Sequence, residues 1–157
     1  MALFGPTVLR LAIGVVFAAH GAQKLFGLWG GGGLTGTAAF FNQLGLTPAY
    51  PLAILVGTLE LGGALLLIAG AFTLVTSAAL TITMLVAVWT VHLSSGFFLN
   101  WTVAPGQGHG YEFNLALVGA LISLMLTGPG AVSVDRYRAR AAETQAFGRA
   151  RMRAGQA

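Results

Sequence analysis

Cysteine is absent from the 157-residue chain. That excludes disulfides, thiolate metal sites and dithiol relays built from its own residues, and it leaves the redox compartment unread. Charge is scarce as well: 8% of residues are charged, against about 25% in an ordinary soluble domain. Only four are acids. With 56% hydrophobic residues and a mean hydropathy of +0.81, the chain has too little polar surface for water, so a bilayer is its expected solvent. The pI of about 10.4 suggests nucleic acid, but the positive charge is unevenly spread. Arg136, Arg138, Arg140, Arg149, Arg151 and Arg153 carry six of the eight Lys and Arg positions. A basic tail on an apolar body favours a membrane partner and argues against nucleic acid.

A membrane helix needs about 20 apolar residues to cross a hydrocarbon core of roughly 30 Å. A first span is expected near Thr7 to Phe26. Gly30 to Gly33, Asn42, Gln43 and Pro48 then mark a loop. Residues 49–93 carry one charge, Glu60, and are too long for one crossing; Gly70 divides them into spans near 50–69 and 72–93. A polar, turn-rich stretch from Asn100 to Gly110 precedes a shorter fourth span, Glu112 to Thr127, which GPG at 128–130 closes. The expected fold is all-α, a four-transmembrane-helix bundle occupying 1–135, followed by a basic tail at 136–157.

The positive-inside rule places that tail in the cytoplasm of a bacterial inner membrane, and four spans put both termini there. Residues 1–22 lack a basic n-region before Arg10, and membrane spans follow them, which argues against a cleaved signal peptide. Both larger loops fall outside. In 37–45, TAAFFNQLG, Thr37 caps an expected short interfacial helix, Phe40, Phe41 and Leu44 lie on the membrane, and Gly45 ends it. The GGGG run before it lacks the strand and the GK[ST] of a phosphate cradle. The 94–110 loop reads either as a cover for the bundle mouth or as an interfacial anchor through Phe97, Phe98 and Trp101. The tail reads equally as a basic helix on anionic lipid or as a solvated topogenic segment.

The ionisable residues form stripes. At 100° per residue Arg10, His20 and Lys24 share an arc of roughly 80° on the first span. Glu60 shares its face with Ala53, Gly57, Gly63 and Ala64, small residues of the kind that mark close helix packing. His92 lines up with Ser77, Thr81 and Leu85, and Glu112 with Ala116, Gly119 and Ser123. These stripes are expected to face one another. His20 would lie about 10 Å and Glu60 about 15 Å below the outer surface, with Lys24, His92 and Glu112 nearer to it. A charge at mid-bilayer costs about 2.5–3.5 kcal/mol, so Glu60 is expected to pair with Lys24 or Arg10. The residues together describe a polar pocket opening outward. Haem ligation by His20 and His92 is disfavoured by a depth difference of about 8 Å, and no tight His and Glu spacing implies a metal.

HGAQKLFG at 20–27, TLELGGALLLIAG around Glu60, HLSSGFF, GYEFNLAL and GPGAVSVD together resemble the DoxX family. The resemblance runs from about Arg10 to Asp135. It implies a small four-helix membrane protein, related to DoxD-like quinone-reductase subunits, serving a quinone-linked or oxidative-stress oxidoreductase system. GPGAVSVD lacks the basic residue of the related form GPGRYSLD, so the resemblance carries no anionic contact to that point. On this reading a quinone headgroup enters the pocket, Glu60 and His20 move protons, and Lys24, Arg10, His92 and Glu112 bind the ligand. Electrons come from a partner oxidoreductase or a larger complex. Two alternatives stay open: a non-catalytic subunit whose polar seam is packing, and a carrier of small molecules or lipids. A homo-oligomer is compatible with all three.

Overall fold

The structure, a computed structural model, describes residues 4–154. It is all-helical among those residues: α1 Phe4–Phe26, α2 Gly33–Gln43, α3 Ala49–Ala69, α4 Thr73–Ala87, α5 Glu112–Thr127 and α6 Val134–Ala154. A 3-10 turn at Leu28–Gly30 joins α1 to α2. α4 continues through a π-helical turn, Val88–His92, and a 3-10 turn, Leu93–Ser95.

Three helical runs are long and apolar enough to cross a membrane: Phe4–Phe26, Ala49–Ala69 and Thr73–Ser95. Each is 21 to 23 residues, about 32–35 Å at 1.5 Å per residue. α5 is a shorter apolar helix, where the shorter fourth span was expected, and its 16 residues reach about 24 Å. Exposed side chains such as Val8, Val15, Leu55, Leu65, Leu74 and Ile82 cover the outside of the bundle, as a lipid solvent requires.

The core explains how the helices associate. Ile13 and Phe17 of α1, Ala64 and Leu67 of α3, Leu80 and Met84 of α4, and Leu117, Leu121 and Leu124 of α5 form one cluster. α5 therefore packs through Asn114, Leu117, Val118, Leu121 and Leu124. The expected stripe of Glu112, Ala116, Gly119 and Ser123 is on its outer side, with Ala116 and Gly119 exposed. Spacing of three and four puts the bulky residues on one face, and bulk fills the core better than a row of small residues.

α2 differs from its expected form in two respects. It begins at Gly33, four residues before Thr37, whose hydroxyl instead donates to Lys24 O at 3.2 Å. Phe41 is buried with Ala38, Ala49 and Ala53 against α3, while Phe40 stays exposed. The helix is thus docked on the bundle through Phe41. Gly45, at φ +73°, lies just beyond its end.

Candidate functional site

α1 and α3 touch backbone to backbone. A Cβ on Gly21 would lie 2.5 Å from Leu61 N, and one on Gly57 would lie 2.6 Å from Leu25 Cδ2. At Gly21 a larger residue would push the helices apart, because it meets the Leu61 backbone, whereas at Gly57 it would displace the Leu25 side chain. This contact sets a register in which Lys24 stands level with Thr58, about 3 Å or half a turn from the level of Glu60. Side chains on a helix tilt toward its N-terminus, so in this antiparallel pair the Lys24 and Glu60 side chains lean toward each other. Lys24 Nζ lies 2.6 Å from Glu60 Oε2. Glu60 is 2% exposed and Lys24 27%. The pair is a sealed carboxylate with a partly open cation.

His20 is elsewhere. It lies at the edge of the α1 stripe, about 80° around the helix from Arg10, and is exposed. With Val15, Val16, Ala19, Gln23, Trp29 and Phe113 it lines an open groove of about 420 Å³ between α1, the Leu28–Gly30 turn and α5. Gln23 Nε2 donates to Trp29 O at 3.5 Å. Trp29 adopts φ +49°, an uncommon backbone for a tryptophan, and stands at the groove's rim.

His92 and Glu112 hold the 94–110 loop. His92 Nδ1 lies 2.8 Å from His109 O, and since a carbonyl only accepts, the ring nitrogen donates. His109 Nδ1 accepts from Asn100 N–H at 3.2 Å, and Glu112 Oε1 accepts from Leu99 N–H at 3.1 Å. Asn100 pins the loop from within: its amide donates to Ala104 O and Gln107 O and accepts from Ala104 N–H. The loop presents Phe98, Trp101 and Val103 outward.

Arg10 belongs to the opposite end of the bundle, and the expected reach toward Glu60 is not made. Its guanidinium, 2% exposed, donates to the carbonyls of Leu67 and Ile68 at the end of α3 and to Pro129 O and Val132 O beyond α5. These carbonyls are left over where helices stop, so one planar cation satisfies several. Beside it Gly70, at φ +68°, ends α3; a Cβ there would lie 2.4 Å from Ser133 Cβ and 2.9 Å from Arg10 Cζ. Asp135 completes this end: its carboxylate accepts from Phe72 N–H at 2.9 Å and Thr73 N–H at 2.8 Å, capping α4 from another helix. Burial alone would raise the Asp135 carboxyl, but those amide hydrogen bonds outweigh it and hold it below the usual aspartate value.

The expected pocket of five ionisable groups is therefore distributed over three places: the Lys24–Glu60 pair, the His20 groove, and the loop held by His92 and Glu112. The sequence reading missed Gln23, Trp29 and Phe113 beside His20, and Asp135 at the other end. Gln23 carried a usable signal, being polar and three residues from His20 on the same face. Trp29 and Phe113 carried none, because tertiary packing alone brings them there. Among the described residues, no group of three or more His, Cys, Asp or Glu side chains could hold a metal ion.

Known proteins agree with a membrane assignment. The chain is 29% identical over 133 residues to "Putative oxidoreductase CatD" of Bacillus subtilis, covering 85% of this chain and 86% of that protein. It is 27% identical to "Inner membrane protein YphA" of Escherichia coli, covering 82% and 86%. It is 31% identical to "Uncharacterized membrane protein Rv3486" of Mycobacterium tuberculosis, covering 83% and 80%. No solved structure matches the chain. The DoxX family model matches residues 5–93, more than half of the sequence and the part that holds α1 to α4, the Lys24–Glu60 pair and His20. This chain is a membrane protein of the DoxX family.

Proposed function

We propose that the chain is an integral-membrane component of a quinone-linked or oxidative-stress oxidoreductase system, and that its quinone-like ligand docks in the His20 groove. One observation carries this reading. His20 is an ionisable side chain within α1, exposed, with no hydrogen bond to any described residue. An intramembrane ionisable group is costly unless something satisfies it, and it marks a ligand or proton site by default. Apolar walls, aromatic Trp29 and Phe113, and hydrogen-bonding His20 and Gln23 suit a lipophilic ring bearing carbonyls.

A quinone that accepts two electrons takes up two protons and becomes a hydroquinone. His20 meets a carbonyl oxygen and delivers a proton to it. Lys24, four residues along α1, and its partner Glu60 stand behind His20 as the proton reserve. The electrons come from a partner oxidoreductase. The "oxidoreductase" in the name of the Bacillus relative supports that class. In this reading α5 is a short fourth crossing, the membrane is the bacterial plasma membrane, and the arginine-rich α6 keeps both termini cytoplasmic.

Mass spectrometry of gently solubilised protein tests the proposal. The wild-type chain should carry a quinone, and His20→Ala and Gln23→Ala should lose it while melting at the same temperature. Absence of any quinone from wild type, or equal retention by the variants, would overturn it.

A second reading rests on the seal around Glu60. A carboxylate closed between two glycine-packed helices also describes a lock of helix register, as an accessory subunit without chemistry requires. A stoichiometric complex that keeps full activity with His20→Ala would favour it.

A further inference from the structure

α6 leaves the bundle as a lone helix. Asp135 and Arg138 attach its first turn: Asp135 caps α4, and the Arg138 guanidinium lies 5.7 Å from the ring centroid of Phe72. Beyond that turn the described side chains of α6 are exposed. At 100° per residue Arg136, Phe147, Arg140 and Arg151 fall within an arc of about 60°, and Tyr137 is about 40° further round. Asp135 and Arg138 occupy the other side.

Tyr137 tells which way that arc turns. Its ring lines an open groove of about 390 Å³ with Thr7 and Leu11 of α1 and Ile68 of α3. Leu11 is itself exposed on the outside of the bundle. The arginine-bearing face is therefore continuous with the bundle's lipid-facing flank, at the level where α3 ends and α4 begins.

We infer that this face of α6 lies on an anionic lipid surface, with Arg136, Arg140 and Arg151 against phosphates and with Tyr137 and Phe147 at the acyl boundary. Charge complementarity selects the occupant, since the described side chains of α6 include five arginines and only two acids, one of them Asp135, already engaged on α4. Arginines bind phosphates through several donors at once and keep their charge throughout the accessible pH range. Aromatic residues beside them are favoured at the water–lipid boundary. The inference is independent of what occupies the His20 groove.

The absence of cysteine provides the test. Full-length protein carrying Phe147→Cys is labelled with an environment-sensitive fluorophore and placed in nanodiscs of phosphatidylcholine, with or without phosphatidylglycerol. Emission should shift to the blue only in the anionic discs, and high salt should reverse the shift. Each arginine removed from the face should weaken the adsorbed state about five-fold, so Arg136→Gln/Arg140→Gln/Arg151→Gln should abolish the shift. Arg149→Gln, on the other side of the helix, should weaken it far less. Equal emission in both lipids, or a shift that survives the triple substitution, would overturn the inference. Equal losses from Arg149→Gln and from Arg140→Gln would overturn the assigned face. Because the label reads α6 directly, neither result depends on quinone binding.

Discussion

Lys24 Nζ lies 2.6 Å from Glu60 Oε2, although Lys24 is in the last turn of α1 and Glu60 is at the middle of α3. α3 projects past the end of α1, and α2 packs against the projecting turns through Phe41, Ala49 and Ala53. The distance of each residue from its own helix end was a poor guide to their relative depth. The glycine contacts at Gly21 and Gly57 set it.

Breaking that pair from one side should harm the fold more than removing it whole. Lys24→Met leaves Glu60 sealed without a counter-charge, which costs about 3 kcal/mol or more for a buried carboxylate. Adding Glu60→Gln should restore part of the loss. A double-mutant cycle on thermal unfolding in detergent measures the coupling. Strictly additive losses would show that the two side chains do not interact.

The α1–α3 contact should be intolerant of a single methyl group. Gly21→Ala forces Cβ against Leu61 N, and overpacking of this kind costs about 1–3 kcal/mol. Gly119→Ala meets nothing within 4 Å and should be neutral or slightly stabilising. Melting temperatures of the two variants side by side check this; equal values would refute the close approach.

Arg10→Lys should destabilise despite keeping the charge. An ammonium has three donors on one atom and cannot bridge the carbonyls of Leu67, Ile68, Pro129 and Val132 together. A loss of about 1–3 kcal/mol is expected from the Ile68, Pro129 and Val132 carbonyls that lose a donor, while Leu67 O keeps the Gly70 amide. Hydrogen exchange should rise first at Gly70, whose amide donates to Leu67 O, and at Gly128, whose amide donates to Leu124 O.

Asp135 should make stability depend on pH on the acid side. Its folded-state value is depressed, so the unfolded chain binds the proton more readily and folding is favoured once the carboxylate is ionised. That contribution is complete above the ordinary aspartate value of about 3.9 and is lost as pH falls through the lower folded value. Wild-type melting temperature should therefore decline below about pH 4 by more than that of Asp135→Asn, which already lacks the contribution at neutral pH. Parallel profiles would show that the cap on α4 carries no linkage.

Topology can be checked with single cysteines, since none is native. With both termini cytoplasmic, Gln107→Cys should react with an impermeant thiol reagent in intact cells and Gly148→Cys should not. The reverse labelling would invert the protein in its membrane.

The amino-acid sequence by itself determined the solvent, the helices and their approximate ends. Long apolar runs interrupted at Gly70 and by the 94–110 loop admit few other readings, because an uninterrupted apolar segment of that length must be helical in lipid. It also marked the Glu60 face, since Ala53, Gly57, Gly63 and Ala64 recur at helical spacing beside the one acid of that span. It did not determine which groups meet. The α1 stripe was a single arc of roughly 80°, and a helix buried on one side divides such an arc: Arg10 falls inside, Lys24 at the boundary and His20 outside. The roles of Arg10 and Asp135 depend on carbonyls and amides that become available only where other helices stop. Backbone groups look alike at every position in a sequence. Only the packed ends of α3, α4 and α5 decide which of them a distant side chain can reach.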